Sequence, residues 1–320
     1  MQQRFLGSTG LSVSRLGLGT MTWGRDTDEH EAREQLAAFV DAGGSLVDTA
    51  AGYTDGDSER LIGSFIGDVC NRDEIVLATK AGISRRGRDR VTNASRGHLV
   101  STLDASLKRL AVDHVDLWQV HTWVEDAPLE ETLSALDYAV STGRASYVGV
   151  SNYSGWQSAQ AATWQRAVPG RATLASHQVE YSLLNRAVEA EVVPAAQALG
   201  LGVLPWSPLG RGVLTGKYRD GTPADSRAAS PHFSTFVGRY LGEPSQRVVE
   251  AVARAAEGLG WSMLEVSLAW VRDRPGVTAP IIGARTAAQL RESLGVEECE
   301  LPVEIVQALE DVSAGLEVTA

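Results

Sequence analysis

Cysteine is scarce: Cys70 and Cys299 are the only two in 320 residues, and they form no Cys-x-x-Cys pair. That excludes a disulfide framework and a thiolate zinc site, and it suits a reducing, cytoplasmic setting. Long apolar runs are missing as well, none approaching the roughly 20 residues that a helix needs to cross a bilayer. The opening MQQRFLGSTG lacks the apolar centre of a signal peptide. Basic residues are in deficit, 29 against 40 acidic ones, for a formal net charge of −11. The chain as a whole therefore has no electrostatic grip on nucleic acid or on an anionic membrane. An anionic ligand has to be held locally. The dinucleotide fingerprint is absent too, because Gly17-Leu18-Gly19 runs into Thr20-Met21-Thr22 where a third glycine is required. A doubly wound dinucleotide fold is excluded on that ground.

What is present is 43% apolar residues, enough for a large core, distributed in a regular alternation. Short β-rich runs fall at 16–20, 45–50, 74–80, 115–121, 145–151, 174–181, 201–207 and 279–284. Between them lie segments of helical period. In 95–110, Leu99, Leu103, Leu107 and Leu110 recur every three or four residues, and 128–143 starts on Pro128 and ends on Gly143. Crossovers of this length predict parallel strands. Eight β-α units with no linker-like composition predict one closed (β/α)8 barrel domain over 1–320. Residues 4–16 read as a small hairpin capping its N-terminal end, and 208–244 as a long loop after the seventh strand.

Barrels of this kind work at the C-terminal ends of their strands. The second strand ends on Asp48, the third on Lys80 and the fourth on His121. Neighbouring strands are about 4.8 Å apart, so the three groups come within reach of one another. Tyr53, in the loop after the second strand, can fold back over them. A phenol beside an ammonium is a better acid than a free one, and Asp48 would keep Lys80 charged and aimed. Such a phenol can protonate a carbonyl oxygen while His121 steadies the developing charge. None of the four is an obvious nucleophile, so the missing reagent is a hydride, which a nicotinamide cofactor would bring. Of six histidines only His121 sits clearly at a strand end, and His177 lies inside a strand, which argues against a metal-dependent hydrolase.

With these residues in place, the sequence resembles the aldo-keto reductase superfamily, from GLGTMTWG at 17–24 to PIIGARTAAQLRES at 280–293. VDTAAGY carries the family's Asp and Tyr, LATK its Lys and QVH its His. The resemblance implies that Thr20, Met21 and Asp48 border the cofactor and that Ser151, Asn152 and Gln178 bind the nicotinamide carboxamide. It implies that Trp206 stacks on the ring, that Ser207, Leu209, Gly212 and Lys217 fold over the pyrophosphate, and that Arg227, which follows them, also binds the cofactor. Gly283, Arg285, Gln289 and Glu292 match the adenosine and 2′-phosphate end. A guanidinium suits a phosphate dianion, so Arg285 favours NADPH over NADH.

The WSPL, GK and GAxxxxQL pattern is most similar to the branch holding bacterial reductases and the cytoplasmic β subunits of potassium channels. Two functions follow: reduction of a small-molecule aldehyde or ketone, or a cofactor-sensing interaction subunit with little turnover. Many relatives place a Tyr-Gly pair after the aspartate, whereas here Tyr53 is followed by Thr54-Asp55-Gly56, which reshapes the rim. Trp23 and Trp123 fall just past strand ends, where an indole would either line the substrate pocket or pack against a neighbouring loop; both are taken as candidate substrate contacts. The Arg85–Arg90 run reads as solvated loop surface. The natural substrate and the oligomeric state, a homo-oligomer included, stay open.

Overall fold

The computed structural model describes residues 1–86, 89–224, 226–230 and 233–316, apart from the side chains of Arg85, Arg86 and Arg227. Eight parallel strands close a barrel in chain order: Gly17–Gly19, Leu46–Asp48, Val76–Ala81, Val115–Val120, Ala145–Ser151, Leu174–Glu180, Gly202–Trp206 and Ile281–Ile282. Seven lie inside the runs expected from the sequence, and Val76–Ala81 passes the end of its run, 74–80, by one residue. The expected helices form as well. Arg96–Leu110 buries Leu99, Leu103, Leu107 and Leu110 on one stripe, each such leucine contributing about 1.5–3 kcal/mol. Leu129–Ser141 begins directly after Pro128, and the chain leaves it through Gly143 at φ 73°.

The barrel interior is layered by the two-residue period of its strands. Leu46, Ala78, Leu117 and Leu204 belong to one inner cluster, together with Leu6 and Val13 of the N-terminal hairpin. That hairpin pairs Gln3–Phe5 with Ser12–Ser14 and plugs the bottom with those two side chains. Two residues further along the same strands come Asp48, Lys80, Gln119 and Trp206. The face that is apolar at the bottom thus becomes polar at the top. A second, larger cluster fills the space between the barrel and its helices.

Three segments go beyond the sequence reading. The arginine run is a second hairpin, Ile83–Arg86 with Asp89–Thr92, rather than an unstructured loop. Of that run, Gly87 and Arg88 lie outside the described residues. The long connection after the seventh strand contains a 3-10 helix, Gly210–Thr215, a turn, Arg227–Ala229, and a helix, Ser234–Gly238, before Glu243–Leu259 begins. Two further helices, Ala287–Leu294 and Val303–Ser313, follow the last strand. Among the described residues no helix is long and apolar enough to cross a membrane.

Candidate active site

The second strand stops at Asp48 because the following Thr49, Ala50 and Ala51 turn the chain over the barrel mouth. Gly52 has to be small, since a Cβ there would lie 2.6 Å from the Ile83 carbonyl oxygen. Tyr53 then opens a short 3-10 turn in which Thr54 and Asp55 adopt left-handed backbone, φ 47° and 53°. Such conformations cost about 1–3 kcal/mol each and persist only where the surroundings enforce them. Here the Thr54 hydroxyl donates to the Trp23 carbonyl at 2.7 Å, tying the Tyr53 loop to the loop after the first strand.

The three residues expected at the strand ends and Tyr53 come together. Lys80 Nζ donates to Asp48 Oδ2 at 2.6 Å and to the Thr49 carbonyl at 2.8 Å, and it lies 3.5 Å from the Tyr53 hydroxyl. Lysine and aspartate are only 1% and 2% exposed. The other carboxylate oxygen, Asp48 Oδ1, accepts from Gln178 Nε2 at 2.9 Å. The His121 ring meets the Tyr53 ring edge to face, centroids 5.9 Å apart.

Electrostatics assign each group a proton. Burial alone would lower the Lys80 ammonium, but Asp48 and then Tyr53 outweigh it, and its pKa stands above the ordinary value. Burial, reinforced by the positive charges of Lys80 and Arg90, holds His121 well below its ordinary value, so the imidazole is neutral at pH 7. For Tyr53 the outcome differs from the sequence reading, which expected the ammonium to dominate. Burial is the larger effect and pushes the phenol up, with Lys80 offsetting it only in part. The phenol therefore keeps its proton at neutral pH, as a proton donor must.

These groups open into a cavity of about 1530 Å³. Its wall runs from Tyr53, His121 and Arg90 past Ser151, Asn152, Gln178 and Trp206 to Ser207, Leu209, Gly212 and Lys217. It ends at Gly283, Arg285, Gln289 and Glu292, with Thr20 and Met21 along one side. Every cofactor position expected from the sequence faces this one cavity, except Arg227, whose side chain lies outside the described residues. The donor set suits a nicotinamide dinucleotide. Trp206 Nε1 donates to Asn152 Oδ1 at 3.0 Å, which turns the indole face along the wall. Gly212, at φ 92°, keeps the backbone open beside Lys217; a Cβ there would sit 3.1 Å from Nζ.

Two expectations fail. Trp23 is fully buried, donates to Gln35 Oε1 at 3.1 Å and packs edge-on against Phe65, outside the cavity wall. Trp123 stands edge-on to Tyr153 and Trp156, centroids 5.2 and 5.6 Å apart, and likewise leaves the cavity. In both cases an indole just past a strand end found enough apolar surface behind the loop to turn away from the mouth. The sequence reading also missed Glu180, Arg211, Phe233 and Phe236. Glu180 was visible as one more polar strand end; the others sit in a loop whose path no local pattern predicts.

Residues 15–314 match the aldo/keto reductase family. The chain belongs to that family. An uncharacterized oxidoreductase of Bacillus subtilis (strain 168), YrpG, is 38% identical, over 98% of this chain and 97% of its own length. A probable voltage-gated potassium channel subunit beta of Oryza sativa subsp. japonica is 36% identical, over 92% and 90%. The L-glyceraldehyde 3-phosphate reductase of Escherichia coli (strain K12) is 33% identical, over 92% and 87%. This aldo/keto reductase is thus an oxidoreductase of a family that reduces carbonyl compounds and generally uses NAD(P)H. Among its described residues no group of three or more His, Cys, Asp or Glu is placed to hold a metal ion.

One buried group outside the site shapes the response to acid. His177, inside the sixth strand, pairs through Nδ1 with the Ser158 hydroxyl at 3.2 Å, and burial lowers its pKa from 6.5 to about 4. Between those values the unfolded chain binds a proton that the folded one refuses, so stability is lost as pH falls from 6.5 towards 4. The loss attributable to this residue is on the order of 2–4 kcal/mol. Urea unfolding of His177→Asn should show a flatter decline over that window; an unchanged slope would remove His177 from the account.

Proposed function

We propose that the chain is an NADPH-dependent reductase that converts an aldehyde or ketone to an alcohol, with Tyr53 as the acid. The observation that carries this reading is the buried Asp48–Lys80 pair at 2.6 Å, with the Tyr53 hydroxyl beside it and a neutral His121 across from it. A protein that only bound its cofactor would not require a protonated phenol held beside a buried ammonium. The bound nicotinamide supplies the hydride. Ser151, Asn152 and Gln178 would hold its carboxamide and Trp206 its ring. Ser207, Leu209, Gly212 and Lys217 would hold the pyrophosphate, and Gly283, Arg285, Gln289 and Glu292 the adenosine with its 2′-phosphate.

As the carbonyl carbon is reduced, negative charge builds on its oxygen. Tyr53 gives that oxygen its phenolic proton, and the Lys80 ammonium stabilises the phenolate left behind. A neutral imidazole at His121 can donate a second hydrogen bond without competing to take the proton. Asp48 keeps Lys80 charged and in place. The phenolate recovers its proton from solvent, which closes the cycle with one hydride and one proton added to the carbonyl.

The backbone N–H of Arg285 donates to Gln289 Oε1 at 3.0 Å, while its guanidinium makes no hydrogen bond or ion pair with the described residues and faces the far end of the cavity, as a phosphate-binding group should. Arg285→Ala is expected to weaken NADPH by about 1.5–3 kcal/mol, the worth of a hydrogen bond to a charged group, and NADH far less. Titration of both cofactors checks this, and an equal loss for the two would remove the 2′-phosphate assignment. The reading as a whole is tested by NADPH binding, followed through tryptophan fluorescence, and by NADPH oxidation with a panel of aldehydes and ketones. Tight binding with brisk turnover of some carbonyls is expected. Tight binding with none would replace it with a cofactor-sensing interaction subunit, a reading in keeping with the Oryza sativa relative's name as a channel subunit.

A further inference from the structure

A largely buried ion pair lies beside the indole that faces the cavity, with Arg211 itself on the cavity wall. Glu180 ends the sixth strand in register with Trp206 of the seventh. Arg211 grips its carboxylate with two hydrogen bonds, Nε to Oε1 at 2.8 Å and Nη2 to Oε2 at 2.6 Å, and the two side chains are only 5% and 10% exposed. Tyr240 donates to Glu180 Oε1 at 3.0 Å, and Arg211 Nη1 donates to the Phe236 carbonyl. The guanidinium carbon stands 3.7 Å from the centre of the Phe236 ring, 5.1 Å from that of Tyr240 and 5.8 Å from that of Trp206. Arg211 holds this place with left-handed backbone, φ 59°, a conformation that costs free energy in any residue but glycine.

The contacts continue towards the reacting groups. Trp206 donates to Asn152, itself left-handed at φ 58°, and Asn152 Nδ2 donates to the His121 carbonyl and to Ser151 Oγ, both at 2.9 Å. An unbroken chain therefore runs from the ion pair through the indole and the amide to the residue that carries the imidazole. A buried ion pair is a poor source of stability, since neutral partners of similar volume commonly serve as well. A fixed planar cation against an aromatic wall is, however, an effective means of orienting a ring.

We infer that Arg211, held by Glu180, is a positioning residue of the reductase. It fixes the Trp206 indole and, through Asn152, the backbone at His121, so that the nicotinamide face and the imidazole stay in register. This rests on the proposed placement of the nicotinamide against Trp206, but it makes a claim about the protein without cofactor as well.

The test compares wild type with Arg211→Lys, Trp206→Phe and the double variant Glu180→Gln/Arg211→Gln, which strands no charge. Without cofactor, the near-ultraviolet circular dichroism that disappears in Trp206→Phe reports how firmly that indole is held. The double variant is expected to melt close to wild type yet to lose that signal. With NADPH and a turned-over carbonyl, its kcat should fall roughly ten- to a hundred-fold, the effect of a small misplacement of reacting groups. The isotope effect from NADPH deuterated at the transferred position should rise, because hydride transfer becomes the slow step. Arg211→Lys keeps the charge but not the fork, and should share both changes. A folded double variant with the wild-type dichroic signal overturns the inference, and so does a loss of kcat that merely follows the melting temperature across the variants. Wild-type protein that turns over no carbonyl would count against the reductase reading alone, leaving the dichroic comparison to decide the role of Arg211.

Discussion

Tyr53→Phe is expected to lower carbonyl turnover by about 10²–10⁴-fold, the usual contribution of a positioned general acid, while leaving NADPH binding nearly intact. The substitution removes one oxygen, the atom 3.5 Å from Lys80 Nζ, and keeps the ring that packs edge-on against His121. The loop should hold its shape, because its left-handed residues are fixed by the Thr54 bond to Trp23 and not by the phenol. Steady-state kinetics beside a cofactor titration check the split. Turnover like that of wild type would mean that another group, or water, delivers the proton, and the mechanism would fall.

The second large effect concerns stability as much as rate. Lys80→Met leaves Asp48 in the barrel mouth, 2% exposed, with the Gln178 amide as its remaining hydrogen-bond donor. Removing one partner of a buried pair costs about 3–5 kcal/mol, because the other charge is stranded in a medium that solvates it poorly. The contribution has a defined pH range. The ammonium's pKa is raised in the folded protein above its ordinary 10.5, so its stabilisation is complete at neutral pH and fades only as pH climbs through the folded value. Urea unfolding at neutral pH should therefore show the full loss. Asp48→Asn/Lys80→Met, which leaves no charge behind, should regain most of the stability and none of the turnover. A double variant as unstable as the single one would refute the stranded-charge explanation.

Much of this was legible before any coordinates. Strand and helix positions follow from hydrophobic period, and each of the eight barrel strands falls on an expected run, Val76–Ala81 overrunning its own by one residue. The polar strand ends Asp48, Lys80 and His121 stand out because they interrupt apolar runs, and the parallel barrel leaves them only one place to meet. The indoles show where this kind of reading stops. Trp23, Trp123 and Trp206 all lie at or just past strand ends, yet only Trp206 reaches the cavity, where its N–H found Asn152. Apart from the WSPL motif that marks Trp206, nothing in the neighbouring residues places these indoles, because the choice depends on which loop covers which.

The pKa of Tyr53 teaches the same lesson about energy. Its neighbour Lys80 could be named from strand order, but whether charge or burial governs the phenol depends on how deeply the loop seats it, and burial won. Arg211 is a stronger case, since it meets Glu180 from 31 residues away in sequence through a loop with no regular pattern. The sequence by itself determined the barrel, its polar end and the residues proposed to react, because period and parallel crossovers are local rules that admit few topologies. Only the tertiary structure decided the protonation states, which aromatic rings face the cavity and what holds them there. Those depend on desolvation and on contacts between distant loops, which local sequence does not encode.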